Sequence, residues 1–146
     1  MERPGTGLTL REMHLGGHPE WAEGSLLIGR RGAKQILYDV LQKKVVGQWG
    51  TPEIFPNPEG DISLSPNGQW FVNGHKKGGK NYCAVYRRDD GTFAHSEGIL
   101  KGSYGGDIRI DPAPRWNRTN NEILVPGIAQ NGTRQLFVIR VVTNRD

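Results

Sequence analysis

Short apolar runs alternate with polar turns rich in glycine and proline along the whole chain. No window keeps apolar residues at helical spacing without a glycine or proline inside it, so the pattern predicts little or no helix. Asn67-Gly68, Asp90-Gly91 and Asn131-Gly132 are turn dipeptides, because both residue types tolerate positive φ. The predicted strands are residues 8–15, 25–29, 35–41, 44–49, 62–64, 69–73, 82–87, 92–96, 122–125 and 134–142.

An internal repeat organises these strands. A large apolar residue, then two nearly continuous apolar runs, occur three times in the same order. We take Trp21, Leu64 and Trp116 as equivalent positions, which places the copies 43 and 52 residues apart. The first spacing is typical of a four-stranded blade, and the second fits a blade with a longer loop. The sequence therefore predicts an all-β fold, a β-propeller of roughly three four-stranded antiparallel blades that form a partial ring.

The predicted blades belong to one domain, residues 1–146, with an outer strand at 8–15, blades at 17–49 and 60–97, and an incomplete blade at 107–142. Their middle strands are apolar on both faces, as a strand needs to be when both of its faces are covered. We expect Trp21, Leu64 and Trp116 to pack between blades for the same reason.

Three blades cannot close a ring, because propellers have four or more. The chain is therefore expected either to be part of a larger propeller or to associate with itself. Two copies would give six blades, with residues 8–15 of each copy completing the last blade of the other.

Composition and charge add weaker constraints. The net charge of +4 suits a polyanionic partner, but the basic residues are scattered and no nucleic-acid motif accompanies them, so a nucleic-acid role is not expected. The single cysteine, Cys83, lies in an apolar run and is expected to be a buried structural thiol. No signal-peptide core or membrane-spanning run is present, so we expect a soluble chain and leave its compartment open.

Residues 65–70, Ser-Pro-Asn-Gly-Gln-Trp, resemble a turn of TolB-like propellers. The runs 17–21, 62–68 and 109–116 in succession look like the last blades of oligogalacturonate lyase-like propellers. The resemblance spans roughly residues 17–141, about three of the seven blades of that family. It implies an enzyme that cleaves acidic oligosaccharides by β-elimination, with a manganese ion held by histidines near the starts of the inner strands and by a glutamine.

His18 stands where the resemblance places a family histidine, which makes it the candidate metal ligand. Manganese is the expected cofactor if the chain is lyase-like. Asp61 and Ala113 occupy the matching places in the next two copies, and alanine has no metal-binding group whereas aspartate offers an oxygen. His18, Asp61 and Arg115 are the candidate ligand-binding residues. No catalytic residue is identified.

Three functions remain open at this point. The repeat favours a binding or scaffold module for a saccharide or a protein, and the resemblance favours a lyase of acidic oligosaccharides, whether degenerate or truncated. A decayed product without activity is the third possibility.

Overall fold

The computed structural model describes residues 15–143, which form three antiparallel β-sheets and no α-helix. None of these residues belongs to a helix that could span a membrane. Sheet 1 contains β1 (Gly16–Trp21), β2 (Leu26–Arg31), β3 (Lys34–Asp39) and β4 (Lys44–Trp49). Sheet 2 contains β5 (Ile62–Leu64), β6 (Trp70–Lys77), β7 (Lys80–Arg87), β8 (Phe93–His95) and β9 (Ile99–Leu100). Sheet 3 contains β10 (Arg115–Trp116), β11 (Glu122–Ile128) and β12 (Arg134–Arg140). The predicted all-β class is thus confirmed.

The strands are paired in chain order, except that β9 pairs with β7 beside β8. β4 and β5 begin and end where the sequence predicted. β6 is longer than predicted, because the polar pairs next to the Gly78-Gly79 turn continue the ladder to Lys77 and Lys80. β1 and β10 end at Trp21 and Trp116, where the repeat places the ends of first strands, although no bounds were predicted for them. β9 and a short 3-10 turn at Gly106–Ile108 were not predicted. The strand expected at 8–15 lies outside the described residues apart from its last position.

The pairing register is the same in all three sheets. In each sheet, the large residue at the end of the first strand pairs with a residue of the second strand. The residue that follows it along the second strand then pairs with a residue of the third strand. The first pairs are Trp21 with Leu27, Leu64 with Phe71, and Trp116 with Ile123. The second pairs are Ile28 with Leu37, Val72 with Val85, and Leu124 with Val138. The repeat found in the sequence is therefore also a repeat of backbone pairing.

Sheets 1 and 2 pack face to face around Ile28, Phe55, Ile62 and Phe71. The Phe55 and Phe71 rings meet edge to face, with centroids 5.4 Å apart, which is a favoured aromatic geometry. We call the face of a sheet that is turned toward the next sheet its leading face, here Ile28 and Leu37, and the opposite face its trailing face. Phe71 is on the trailing face of sheet 2, so alternate residues of one strand serve two interfaces.

Sheets 2 and 3 pack in the same way. Val72 and Val85, on the leading face of sheet 2, contact Ile123 and Val125 on the trailing face of sheet 3. Cys83 lies in this second core and is fully buried, and burial raises the pKa of its thiol to about 12. The thiol is therefore protonated and structural, as the sequence predicted.

Trp21 contradicts the expectation that it packs between sheets, because 60% of its surface is exposed. Leu64 and Trp116, in the same register, are packed against the first and second cores. The three residues occupy trailing faces, and among the described residues no sheet precedes sheet 1. Trp21 therefore has the expected position in its sheet, but no sheet formed by residues 15–143 packs on it, whereas Leu27 and Ile36 on the same face are buried.

Replacing Phe71 by alanine is expected to lower the free energy of unfolding by about 3–5 kcal/mol, since the change empties the middle of the first core. Phe93→Ala is the matched control, because this phenylalanine is 39% exposed on an edge strand and should cost less than about 1 kcal/mol. Urea unfolding followed by fluorescence measures both. Equal losses would contradict the stacking of sheets 1 and 2 around Phe71.

Candidate functional site

The first strands of the three sheets lie side by side, with β5 between β1 and β10. His18, Asp61 and Ala113 each stand three residues before the large residue of their copy. His18 Nδ1 is 3.6 Å from Asp61 Oδ1, and Asp61 Oδ2 accepts a hydrogen bond of 3.0 Å from the Ala113 amide. Three equivalent positions are thus in contact from one sheet to the next.

Glu20 makes a second connection between sheets. Its Oε2 accepts a hydrogen bond of 3.0 Å from the Leu64 amide, so a side chain of sheet 1 holds the backbone of sheet 2. Burial raises the pKa of Glu20, opposed by the Leu64 hydrogen bond and by the charge of Arg115. Sequence reasoning missed Glu20. The only available signal was its place in the repeat, one residue before Trp21, which corresponds to Arg115 before Trp116.

These side chains surround a cleft of about 510 Å³, which we call the strand-start cleft. Its lining residues are Gly17, His18, Pro19, Glu20, Asp61, Ile62 and Arg115. The structure therefore brings all three predicted ligand-binding residues, His18, Asp61 and Arg115, to one cavity. Their binding role stays a prediction.

A smaller groove of about 280 Å³ adjoins the cleft and shares His18 and Asp61 with it. Its charges are already paired within the fold, since Asp111 bonds both Lys76 Nζ and, at 2.7 Å, Arg109 Nε. The hydrogen bond from Lys76 is the main reason that the pKa of Asp111 is lowered. The groove therefore offers little free charge to a ligand.

Close backbone packing holds the walls of the two cavities together. The Gly74 amide donates a hydrogen bond of 2.7 Å to the Asp61 carbonyl, and a Cβ at Gly74 would lie 2.4 Å from Cβ of Pro112. Only glycine allows this approach. Position 74 therefore sets the distance between Asp61 and the segment that carries Ala113.

His75 lines the groove but is largely buried. Its ring stacks on Tyr82 with centroids 5.3 Å apart, meets the His95 ring at 5.6 Å, and its Nδ1 has no hydrogen-bond partner among residues 15–143. Burial, and then the charges of His95 and Lys77, lower the pKa of His75. The fold therefore favours the neutral form of this imidazole over the charged form.

The residues of the cleft do not fit the manganese centre that the family resemblance implies. His18 and Asp61 offer two donors, the third equivalent position is Ala113, and one Asp61 oxygen already accepts a backbone hydrogen bond. Within the described part of the chain, no group of three or more His, Cys, Asp or Glu side chains is arranged to hold a metal ion. A catalytic metal normally needs about three protein ligands and an open position.

Compared with known protein families and with curated proteins, the sequence matches no family model and no curated relative. The fold and the cleft define the class of the protein: an all-β chain of three stacked antiparallel sheets with a polar cleft where their first strands meet.

Protonation of His75 is expected to make the protein less stable in acid. Its folded pKa is below the unfolded value of about 6.5, so the unfolded chain binds the proton first and stability falls as the pH drops below about 6.5. His75→Phe keeps an aromatic ring on Tyr82 and should flatten this part of the pH dependence. Thermal melting between neutral and mildly acidic pH measures it, and an unchanged slope in the variant would show that His75 is not responsible.

Proposed function

We propose that the chain is a binding module of the β-propeller type, in which sheets 1, 2 and 3 are consecutive blades. Three features support the proposal: the meander order within each sheet, the common register of the three copies, and the stacking of each leading face on the next trailing face. In such an assembly the first strands line the axis, so the strand-start cleft opens at the mouth of the ring. Ligands commonly bind in cavities of this size with a few converging polar groups.

An acidic oligosaccharide is the ligand that this cleft suits best. Arg115 is exposed, and within the described residues its guanidinium donates to the Pro114 carbonyl at 2.9 Å and forms no ion pair. A guanidinium free of a carboxylate partner binds a sugar carboxylate through two parallel hydrogen bonds. Asp61 and Glu20 on the same cleft present oxygens that accept hydrogen bonds from sugar hydroxyls.

The observation that carries the proposal is the convergence of Arg115, which forms no ion pair among residues 15–143 although its charge reaches Glu20, and two carboxylates, from three different sheets, on one cavity. Arg115 comes from β10, Glu20 from β1, and Asp61 lies just before β5. The net charge of +4 favours approach of an anionic chain over long distances.

A lyase that acts on the same class of ligand is the second candidate. The contact between His18 and Asp61 favours it, because both stand at positions that the family resemblance connects with the metal. Ala113, at the third equivalent position, has no metal-binding side-chain group, which is evidence against a lyase, so no catalytic step is assigned.

The module is expected to bind an oligogalacturonate and not a neutral oligosaccharide of the same length, as measured by isothermal titration calorimetry. Arg115→Gln removes the pairing cation and should weaken binding about tenfold or more, the usual effect of losing one charge-assisted hydrogen-bond pair. Arg118→Gln is the matched control, since Arg118 is exposed in the turn between β10 and β11 and outside the cleft lining. Equal affinity for neutral and acidic sugars would overturn the proposal.

The same titration distinguishes a binding module from a lyase. β-Elimination produces an unsaturated uronate that absorbs ultraviolet light, so absorbance is followed with and without added manganese. Binding without new absorbance supports the module. New absorbance that is lost in His18→Ala would support the enzyme.

A further inference from the structure

The segment that leads into β10 has a strained backbone. Ala113 has a φ of 35°, in the positive range that favours glycine, and Pro114 follows it although a proline favours extended backbone in the residue before it. A residue keeps such a conformation only when its surroundings impose it. The position of Arg115, two residues after Ala113, therefore depends on what holds this segment.

Three contacts hold the segment. The Ala113 amide donates a hydrogen bond of 3.0 Å to Asp61 Oδ2. The side-chain amide of Asn81 donates one of 3.1 Å to the Ile110 carbonyl. Pro112, between these two contacts along the chain, packs on the glycine backbone of β6. The strained segment is thus held at both ends and at its centre.

Asn81 differs from the other contacts in what else it does. It is completely buried near the start of β7, and its side chain makes this one hydrogen bond, while its Oδ1 has no partner among residues 15–143. A buried amide with an unsatisfied oxygen adds little to stability, because the cost of removing that oxygen from water offsets the one bond made. The place at which Asn81 holds the segment explains the side chain better than the stability it adds.

Sheet 1 contains an equivalent contact. The buried Gln35 side chain of β3 donates a hydrogen bond of 2.8 Å to the Pro58 carbonyl, and its Oε1 likewise lacks a partner within the described residues. Pro58 stands three residues before Asp61, as Ile110 stands three residues before Ala113. In both sheets a buried amide of the third strand therefore holds the segment that leads to the first strand of the next sheet.

We propose that Asn81 is a positioning residue of the strand-start cleft, which holds the strained segment before β10 and so fixes Arg115 where an acidic ligand meets it. This role rests on the proposed function, in which Arg115 binds the ligand carboxylate. Without the hydrogen bond from Asn81, the backbone at Ala113 relaxes toward an extended conformation, and the guanidinium has to be brought back when the ligand binds. Preorganisation raises affinity because the segment is already ordered before binding.

Hydrogen exchange measured by NMR tests the restraint without a ligand. Asn81→Leu keeps a side chain of similar size and removes the amide, so exchange of the Ala113 amide proton should rise about tenfold relative to the amides of β6. Cys83→Ala is the matched control, since Cys83 is also fully buried, two residues further along β7, and packs in the second core. It should lower stability without changing that ratio. An unchanged ratio in Asn81→Leu would overturn the proposal.

Removing the strain tests the mechanism. Glycine adopts positive φ freely, so in the double variant Asn81→Leu, Ala113→Gly the segment gains little by relaxing, and the exchange ratio should return toward that of the parent. Ala113→Gly alone keeps the Asn81 bond and should melt at the parent temperature or higher, because the relief of strain offsets the greater entropy that glycine loses on folding. A clear fall in its melting temperature would show that Ala113 is not strained and would contradict the mechanism.

Calorimetric titration with an oligogalacturonate tests the effect on the cleft. Asn81→Leu should weaken binding about fivefold, and Cys83→Ala should bind like the parent. In an Arg115→Gln background, Asn81→Leu should have little further effect, because the group that it positions is gone. Losses that simply add, or faster exchange at Ala113 with unchanged affinity, would refute the role in the cleft. A parent protein that binds no oligogalacturonate would refute the proposed function, and the exchange ratio would still show whether Asn81 holds the segment.

Discussion

Everything in this structure depends on the packing of one small sheet on the next. A sheet of three or four short strands has too little surface of its own to be stable, so both faces of its middle strands need a neighbour. Ile28 from sheet 1 and Phe71 from sheet 2 share the first core, and Val72, the residue after Phe71, belongs to the second. Alternation along β6 alone therefore joins the three sheets, and a one-residue change in its register would exchange Phe71 and Val72 between the two cores.

The cleft is a consequence of that stacking. No single sheet contains it, because His18, Asp61 and Arg115 stand at the starts of three separate first strands. Glu20 and the Gly74 amide fix the spacing of those strands by bonding to the backbone at Leu64 and Asp61. The polar groups of the cleft are thus positioned by backbone contacts between sheets.

The sequence predicted the parts of the fold that side chains dictate. The middle strands were found because a strand covered on both faces has to be apolar, and the 43- and 52-residue spacings gave the register that places His18 beside Asp61. β10 has two residues and β1 has an irregular register before Glu20, so neither shows an alternating side-chain pattern, and only the large residue at the end of each, Trp116 and Trp21, indicated it in the sequence. Trp21 was predicted wrongly because hydrophobicity shows which face a residue occupies in its sheet, and not whether another sheet covers that face.

The stack and the cleft are connected through the first strands. β1 and β10 lie on either side of β5, so the polar cavity between them is bounded by sheets on one side and open on the other. The polar groups of the cavity therefore exist as a set only because consecutive sheets stack, since Glu20, Asp61 and Arg115 each come from a different sheet.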